Sequence, residues 1–128
     1  MKRSKIEISL AGVVIEDTNL PVLMTASEIA EMFGVFVATI NSNIRSLVKS
    51  QIVDLEDVMI EHKFDDGRSV ELYKLEMIIA LAGRIASPQA RMFRKWVAKR
   101  VAYEENSKVQ PIYFSLNPRS KSAGTILN

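Results

Sequence analysis

The stretch that decides the fold is Thr25-Ala-Ser-Glu-Ile-Ala-Glu-Met-Phe-Gly-Val-Phe-Val-Ala-Thr-Ile-Asn-Ser-Asn-Ile-Arg-Ser-Leu-Val-Lys49. Thr25 with Glu28 three residues on has the pattern of a capping box, which predicts the start of a helix. Gly34 follows this helix, and a residue without a Cβ allows a sharp turn there. Beyond it, apolar residues recur at i, i+4 and i+7, the spacing of a second helix: Ile40, Ile44 and Leu47. The stretch therefore predicts two short helices hinged at Gly34, which is the layout of a helix-turn-helix.

The side of the second predicted helix that faces away from the apolar stripe is polar. Side chains of this kind hydrogen-bond phosphates or base edges in the DNA major groove. The candidates for base or phosphate contact are Thr39, Asn41, Ser42, Asn43 and Arg45, with Lys49 as a candidate for contact with the DNA backbone. Two amphipathic helices joined by a glycine give a similar string without any DNA contact, and this alternative stays open.

Two bulky apolar residues, Phe36 and Val37, lie where a DNA-binding helix usually begins with small polar ones. They pack under a neighbouring element in one interpretation and form a protein-contact patch in the other. We expect partial burial together with a dimer or partner contact.

The formal net charge of +2 over 128 residues conceals a strong asymmetry. Residues 51–76 carry three Lys/Arg against eight Asp/Glu, giving −5, and residues 77–128 carry nine against two, giving +7. A basic half favours a polyanionic partner. The alternative is that the basic face only complements the acidic segment, within the chain or across a dimer.

The remaining elements follow from alternation, turn signals and caps. A strand over Ile6–Leu10 precedes a return strand at Val13–Ile15. The Asp-Gly pair in Asp65–Arg68 predicts a hairpin, and a hairpin after a helix-turn-helix is the layout of a winged helix. Lys63 and Arg68 near its tip favour a phosphate contact, Asp65 and Asp66 oppose one, and a purely structural hairpin stays open. The other predictions are a helical turn from Asp54 to Val58, hairpin strands at Met59–Phe64 and Ser69–Tyr73, and a helix at Leu75–Ile85 with Leu75, Ile78, Ile79 and Ala82 towards the core.

Ser87-Pro88 predicts the start of a last helix, which runs to about Glu104. Its apolar side carries Phe93, Trp96, Val97 and Val101, and its basic side carries Arg91, Arg94, Lys95 and Lys99 as candidates for DNA backbone contact. A basic face that only solubilises the helix is the alternative. We expect one domain over residues 1–105 and a partly flexible tail over residues 106–128, in which residues 110–116 form an edge strand or dock on a partner.

Catalysis is not expected from this sequence. His62 is the only histidine, there is no cysteine, and neither a serine elbow nor a phosphate-binding glycine loop is present. The carboxylates of Asp54, Glu56, Asp57 and Glu61 suggest a Mg²⁺ site, but a solvated acidic segment is the simpler interpretation. We therefore predict no catalytic residue, no metal and no cofactor. No apolar run reaches the length of a membrane span, and a cytoplasmic location is the expectation.

Five motifs follow one another in the second half of the chain: Asp66-Gly-Arg68, Val70-Glu-Leu-Tyr73, Leu75-Glu-Met-Ile-Ile-Ala80, Arg84 with Ser87, and Phe93-Arg-Lys-Trp-Val-Ala98. This order of motifs resembles the RhuM-type virulence-associated proteins. The last segment is also similar to the N-terminal module of Bro-type phage antirepressors. The resemblance covers roughly residues 20–104 and is most specific over 66–98. It implies a DNA-binding or regulatory protein of bacteria and their mobile elements.

Together these observations predict an α+β fold: a winged helix-turn-helix-like domain with a β-hairpin and two C-terminal helices. The predicted function is a transcriptional regulator that binds duplex DNA, as a homodimer. The competing hypothesis is an antirepressor-like interaction module that binds a repressor or another protein through Phe36, Val37 and the tail.

Overall fold

The computed structural model describes residues 2–107, and side chains through residue 104. The chain divides into two units, Met1–Trp96 and Val97–Asn128. The fold is α+β, with a two-stranded hairpin, a three-stranded sheet and five helices over the described residues. The elements are β1 (Ile6–Ser9), β2 (Gly12–Ile15), β3 (Leu23–Met24), α1 (Ala26–Phe33), α2 (Val37–Lys49), α3 (Leu55–Val58), β4 (Met59–Lys63), β5 (Ser69–Lys74), α4 (Leu75–Ala82) and α5 (Pro88–Ser107).

The predicted start of α1 is confirmed in detail. The Thr25 hydroxyl accepts a hydrogen bond from the Glu28 N–H at 3.1 Å, and the Glu28 carboxylate accepts one from the Thr25 N–H at 2.9 Å. Arg3 reinforces this cap, since its guanidinium forms two hydrogen bonds of 2.8 and 3.0 Å to Glu28. Burial works to raise the pKa of Glu28, but these hydrogen bonds and the charges of Arg3 and Lys5 outweigh it and lower the pKa. The N-terminal segment is thereby fixed to the first helix.

The turn between α1 and α2 depends on Gly34. Its φ of 70° lies in the left-handed region, and its N–H donates to the α1 carbonyls. A Cβ there would lie 2.8 Å from the Nε2 atom of Gln89 on α5. The left-handed backbone conformation therefore favours glycine, whereas the amide end of the flexible Gln89 side chain is able to move away.

The core of the first unit lies where α1, α2, α4 and the start of α5 meet. The Phe33 and Phe93 rings pack edge to face with centroids 5.8 Å apart, a favourable geometry for two aromatic rings. The predicted stripe of α2 is confirmed: Ile40, Ile44 and Leu47 are all buried. The core side of α4 was only partly predicted, because Ile79 is exposed and Met77 and Leu81 take up the core with Ile78.

The three-stranded sheet has the order β3-β5-β4, and all its pairs are antiparallel. The hairpin β4–β5 was predicted. The sequence did not predict the pairing of Leu23 with Lys74 and of Met24 with Tyr73, because two residues are too few to show the alternation of a strand. This short β3 connects the hairpin to α1 and so sets the position of the helix-turn-helix segment next to the sheet.

The helix α4 ends at Ala82, three residues before the predicted end, and Ser87 caps α5 by accepting from the Ala90 N–H at 3.1 Å. In the second unit, α5 continues to Ser107, and Val101, on the predicted apolar side of the helix, is exposed there. The predictions for residues 110–116 and for most of the tail lie outside the described residues.

Candidate nucleic-acid interface

The solvent-exposed side of α2 carries three of the predicted contact residues. Ser42, Arg45 and Lys49 recur at helical spacing and are exposed, opposite the buried stripe of the same helix. Ala38 lies on the same side one turn earlier and is exposed as well. A small hydroxyl followed along the helix by two cations is a suitable surface for contact with the phosphates and base edges of a groove.

The other three predicted residues of α2 lie on its flanks. The Asn43 amide donates to the Thr39 carbonyl at 2.9 Å, and both residues are half-buried. Asn41 is exposed, but it lines a cavity on the opposite flank together with Glu61 and Glu71 of the hairpin. The structure therefore does not bring Thr39, Asn41 and Asn43 together with Arg45 on one surface.

Arg84 extends the exposed side of α2 and was not among the predicted contact residues. Its Nη1 atom donates to the Ser46 hydroxyl at 2.8 Å, although the two residues are 38 positions apart. Arg84 follows the end of α4, where helical periodicity gives no signal. The Arg84 and Ser87 pair in the family resemblance is the only hint of it in the sequence. Ser42, Arg45, Ser46, Lys49 and Arg84 are called the α2 surface below.

The basic residues of α5 divide into different roles. Arg94 donates to the carbonyls of Ala82 and Ile85 at 2.5 and 2.8 Å, so its guanidinium binds the C-terminal end of α4. Carbonyls at a helix end lack partners within the helix, and a cation stabilises them. Arg91 and Lys95 are exposed in the first unit, and Lys99 is exposed in the second.

The hairpin face beside α2 is acidic. Glu61 and Glu71 are directly opposite each other in the register of β4 and β5. Glu71 also accepts a hydrogen bond of 3.1 Å from the Tyr73 hydroxyl. Burial, the Glu71 charge and this hydrogen bond raise the pKa of Tyr73 to about 12. Two carboxylates at this position repel phosphate.

The two cations near the tip of the hairpin differ, since Lys63 is exposed and Arg68 is paired. The Arg68 Nε atom lies 2.7 Å from a carboxylate oxygen of Asp66, and the guanidinium lies over the Phe64 ring at 5.6 Å. Arg68 is therefore paired within its own turn, and the neighbouring Asp65 is exposed. This arrangement favours the structural interpretation of the hairpin.

Phe36 and Val37 are 83% and 42% exposed. The expected partial burial is therefore wrong for Phe36 within this chain. Phe36 is also the N-cap of α2, and its side chain makes no capping hydrogen bond to the first turn. The start of the helix thus presents an exposed aromatic ring in place of a capping side chain.

Among the residues whose side chains the structure describes, no group of three or more histidine or carboxylate side chains is placed to hold a metal ion. The acidic residues Asp54, Glu56, Asp57 and Glu61 therefore do not converge on one point. In the same part of the chain, no helix has both the length and the apolar character that crossing a bilayer requires.

Comparison of the chain with protein-family models, curated proteins and solved structures gives no match. The resemblance over residues 66–98 stays a prediction.

Proposed function

We propose that this chain binds duplex DNA through the α2 surface, as a transcriptional regulator of bacterial or mobile-element origin. The observation that carries the proposal is the exposed row of Ser42, Arg45 and Lys49, to which Arg84 adds a further cation by its bond to Ser46. Cations held on one helix face neutralise DNA phosphates. The hydroxyl and guanidinium groups of the same face are also able to hydrogen-bond base edges.

The order of elements supports a winged helix-turn-helix interpretation. Two helices joined at Gly34 are followed by the β4–β5 hairpin, and β3 completes a three-stranded sheet beside them. The acidic residues of the hairpin oppose a second DNA contact there, because Glu61 and Glu71 face the α2 flank. We infer that α2 makes the contact and that the hairpin supports the helix.

The proposal is tested by measuring affinity for genomic DNA fragments, including the region upstream of the protein's own gene, across a salt series. Arg45, Lys49 and Arg84 imply about three phosphate contacts per protomer, hence a log–log slope of about −2.7, or about −5.4 for a homodimer. Arg45→Ala should reduce that slope by about 0.9 per protomer if Arg45 contacts a phosphate. If Arg45 contacts a base instead, the change should alter sequence preference at a cost of about 1–3 kcal/mol.

Arg68→Ala is the matched control, because it removes the same charge from the hairpin tip, where Arg68 is paired with Asp66. It should leave both slope and preference unchanged. Binding that is absent at low salt, or constant across the series, contradicts the proposal. Equal effects of the two substitutions would show that net charge alone, and not the α2 surface, attracts the DNA.

A protein-interaction module is the second candidate, and the exposure of Phe36 and Val37 favours it. Replacing Phe36 with Ser and Val37 with Arg removes this apolar patch and should leave the fold intact. Loss of self-association or of partner binding, with DNA affinity unchanged, assigns the patch to protein contact. Unchanged behaviour in sedimentation, partner binding and DNA affinity shows that the patch has neither role.

A further inference from the structure

The strand β5 has an open edge next to Thr25. The Phe64 N–H donates to the Arg68 carbonyl at 2.8 Å. Because bonded and non-bonded pairs alternate in an antiparallel ladder, Val70 and Leu72 bond to β4, and the main-chain groups of Ser69 and Glu71 point to the opposite edge.

That opposite edge is covered by β3 only at Tyr73 and Lys74. After Met24 the chain enters α1, so no strand among the described residues pairs with Ser69 or Glu71. The uncovered portion spans roughly 10 Å, at about 3.3 Å per residue. It is long enough for a short extended segment to add main-chain hydrogen bonds.

Each face of the sheet has a cavity beside this edge. The one on the α2 side has a volume of about 410 Å³ and is lined by Glu61, Glu71 and Asn41 among others. The one on the other face has a volume of about 460 Å³, and Val70, Leu72, His62 and Phe64 contribute to it. Thr25, Ser69 and Val70 line both, so the open edge lies between the two cavities.

The two cavities differ in chemistry. On the α2 side, Glu61 and Glu71 are directly opposite each other, and like charges in that position repel. Lys63 is on the same face but forms no ion pair with either of them. A cation between the carboxylates would relieve their repulsion. On the other face, the Phe64 and His62 rings pack edge to face at 4.8 Å, and the nearby cations are already paired, Arg3 with Glu28 and Arg68 with Asp66.

We propose that the open edge of β5 binds an extended segment of a partner protein in which Lys or Arg alternates with branched aliphatic residues. The segment adds to the sheet as a strand beside Ser69–Glu71, in continuation of β3. Its side chains alternate between the two faces, so the basic ones meet Glu61 and Glu71 and the aliphatic ones meet Val70 and Phe64. This surface is separate from Arg45 and is independent of DNA binding.

The probe is a fluorescein-labelled peptide, Val-Lys-Val-Lys-Val, titrated with the full-length chain by fluorescence anisotropy. In the proposed register the lysine N–H groups bond to β5 and the valine N–H groups point away. Methylating the lysine amide nitrogens should therefore weaken binding at least about tenfold, whereas methylating the amide nitrogens of the second and third valines should not. Glu71→Gln, which keeps an acceptor for Tyr73, should weaken binding about two- to fivefold.

Glu7→Gln on β1 is the matched control, since Glu7 is an exposed strand glutamate away from this edge, and it should leave the affinity unchanged. Arg45→Ala should have no effect either. Equal binding of the two methylated peptides overturns the proposal, because side-chain contacts alone would then explain the affinity. Equal binding of Val-Glu-Val-Glu-Val also overturns it, because the charge of the peptide would then play no part. No binding up to about 1 mM peptide also overturns it.

Discussion

Replacing either of two phenylalanines, three positions apart, with alanine should have very different consequences. Phe33 is fully buried, and its ring packs against that of Phe93. Removing it leaves a cavity, and such changes cost about 3–5 kcal/mol of unfolding free energy. Phe36 is 83% exposed, so folding removes only about a sixth of its surface from water. Since full burial stabilises by about 1.5–3 kcal/mol, Phe36→Ala should cost about 0.3–0.5 kcal/mol.

No capping bond offsets this estimate for Phe36, because the N-cap of α2 has no side-chain hydrogen bond to lose. Urea unfolding of the two variants and the wild type, followed by far-UV circular dichroism, measures both free energies under one set of conditions. The slope of free energy against urea should be similar in all three proteins if the transition is two-state.

A loss above about 2 kcal/mol for Phe36→Ala would refute the reasoning, since it would mean that the ring is buried in solution. Repeating the unfolding at several protein concentrations then identifies the cause. Destabilisation that grows with concentration points to a self-association contact made by Phe36, and a constant value points to burial within one chain. A loss below about 1 kcal/mol for Phe33→Ala would refute the packing of α1 on α5.

Two further predictions concern the helix-turn-helix segment. Gly34→Ala should cost about 1–2 kcal/mol, because a left-handed φ of 70° is unfavourable for a residue with a Cβ; Gly34→Asn should cost less, and equal losses in thermal or urea unfolding would contradict this explanation. Glu28 has a pKa below its ordinary value of 4.5, so its contribution to stability is fully present above about pH 4.5 and is lost as the pH falls through the folded pKa. Arg3→Met should weaken that acid dependence of unfolding, and an unchanged acid limb would show that Arg3 does not lower the pKa.

The sequence by itself determined the elements whose signals lie within a few neighbouring residues. The capping box of Thr25 and Glu28, the turn at Gly34 and the hairpin around Gly67 each depend on backbone preferences or bonds within about five residues. The apolar stripe of α2 is also local, since its spacing alone shows which side of the helix is buried. These features were predicted with their approximate boundaries.

Only the tertiary structure decided which surfaces these elements share. The bond from Arg84 to Ser46 and the bonds from Arg94 to the end of α4 join residues 38, 12 and 9 positions apart. Helical periodicity grouped Arg94 with the exposed cations, but the packing of α5 on α4 directs its guanidinium to carbonyls. The open edge of β5 depends in turn on the two-residue strand β3. Such contacts depend on how helices and strands pack after each has formed, and no local pattern in the sequence contains that information.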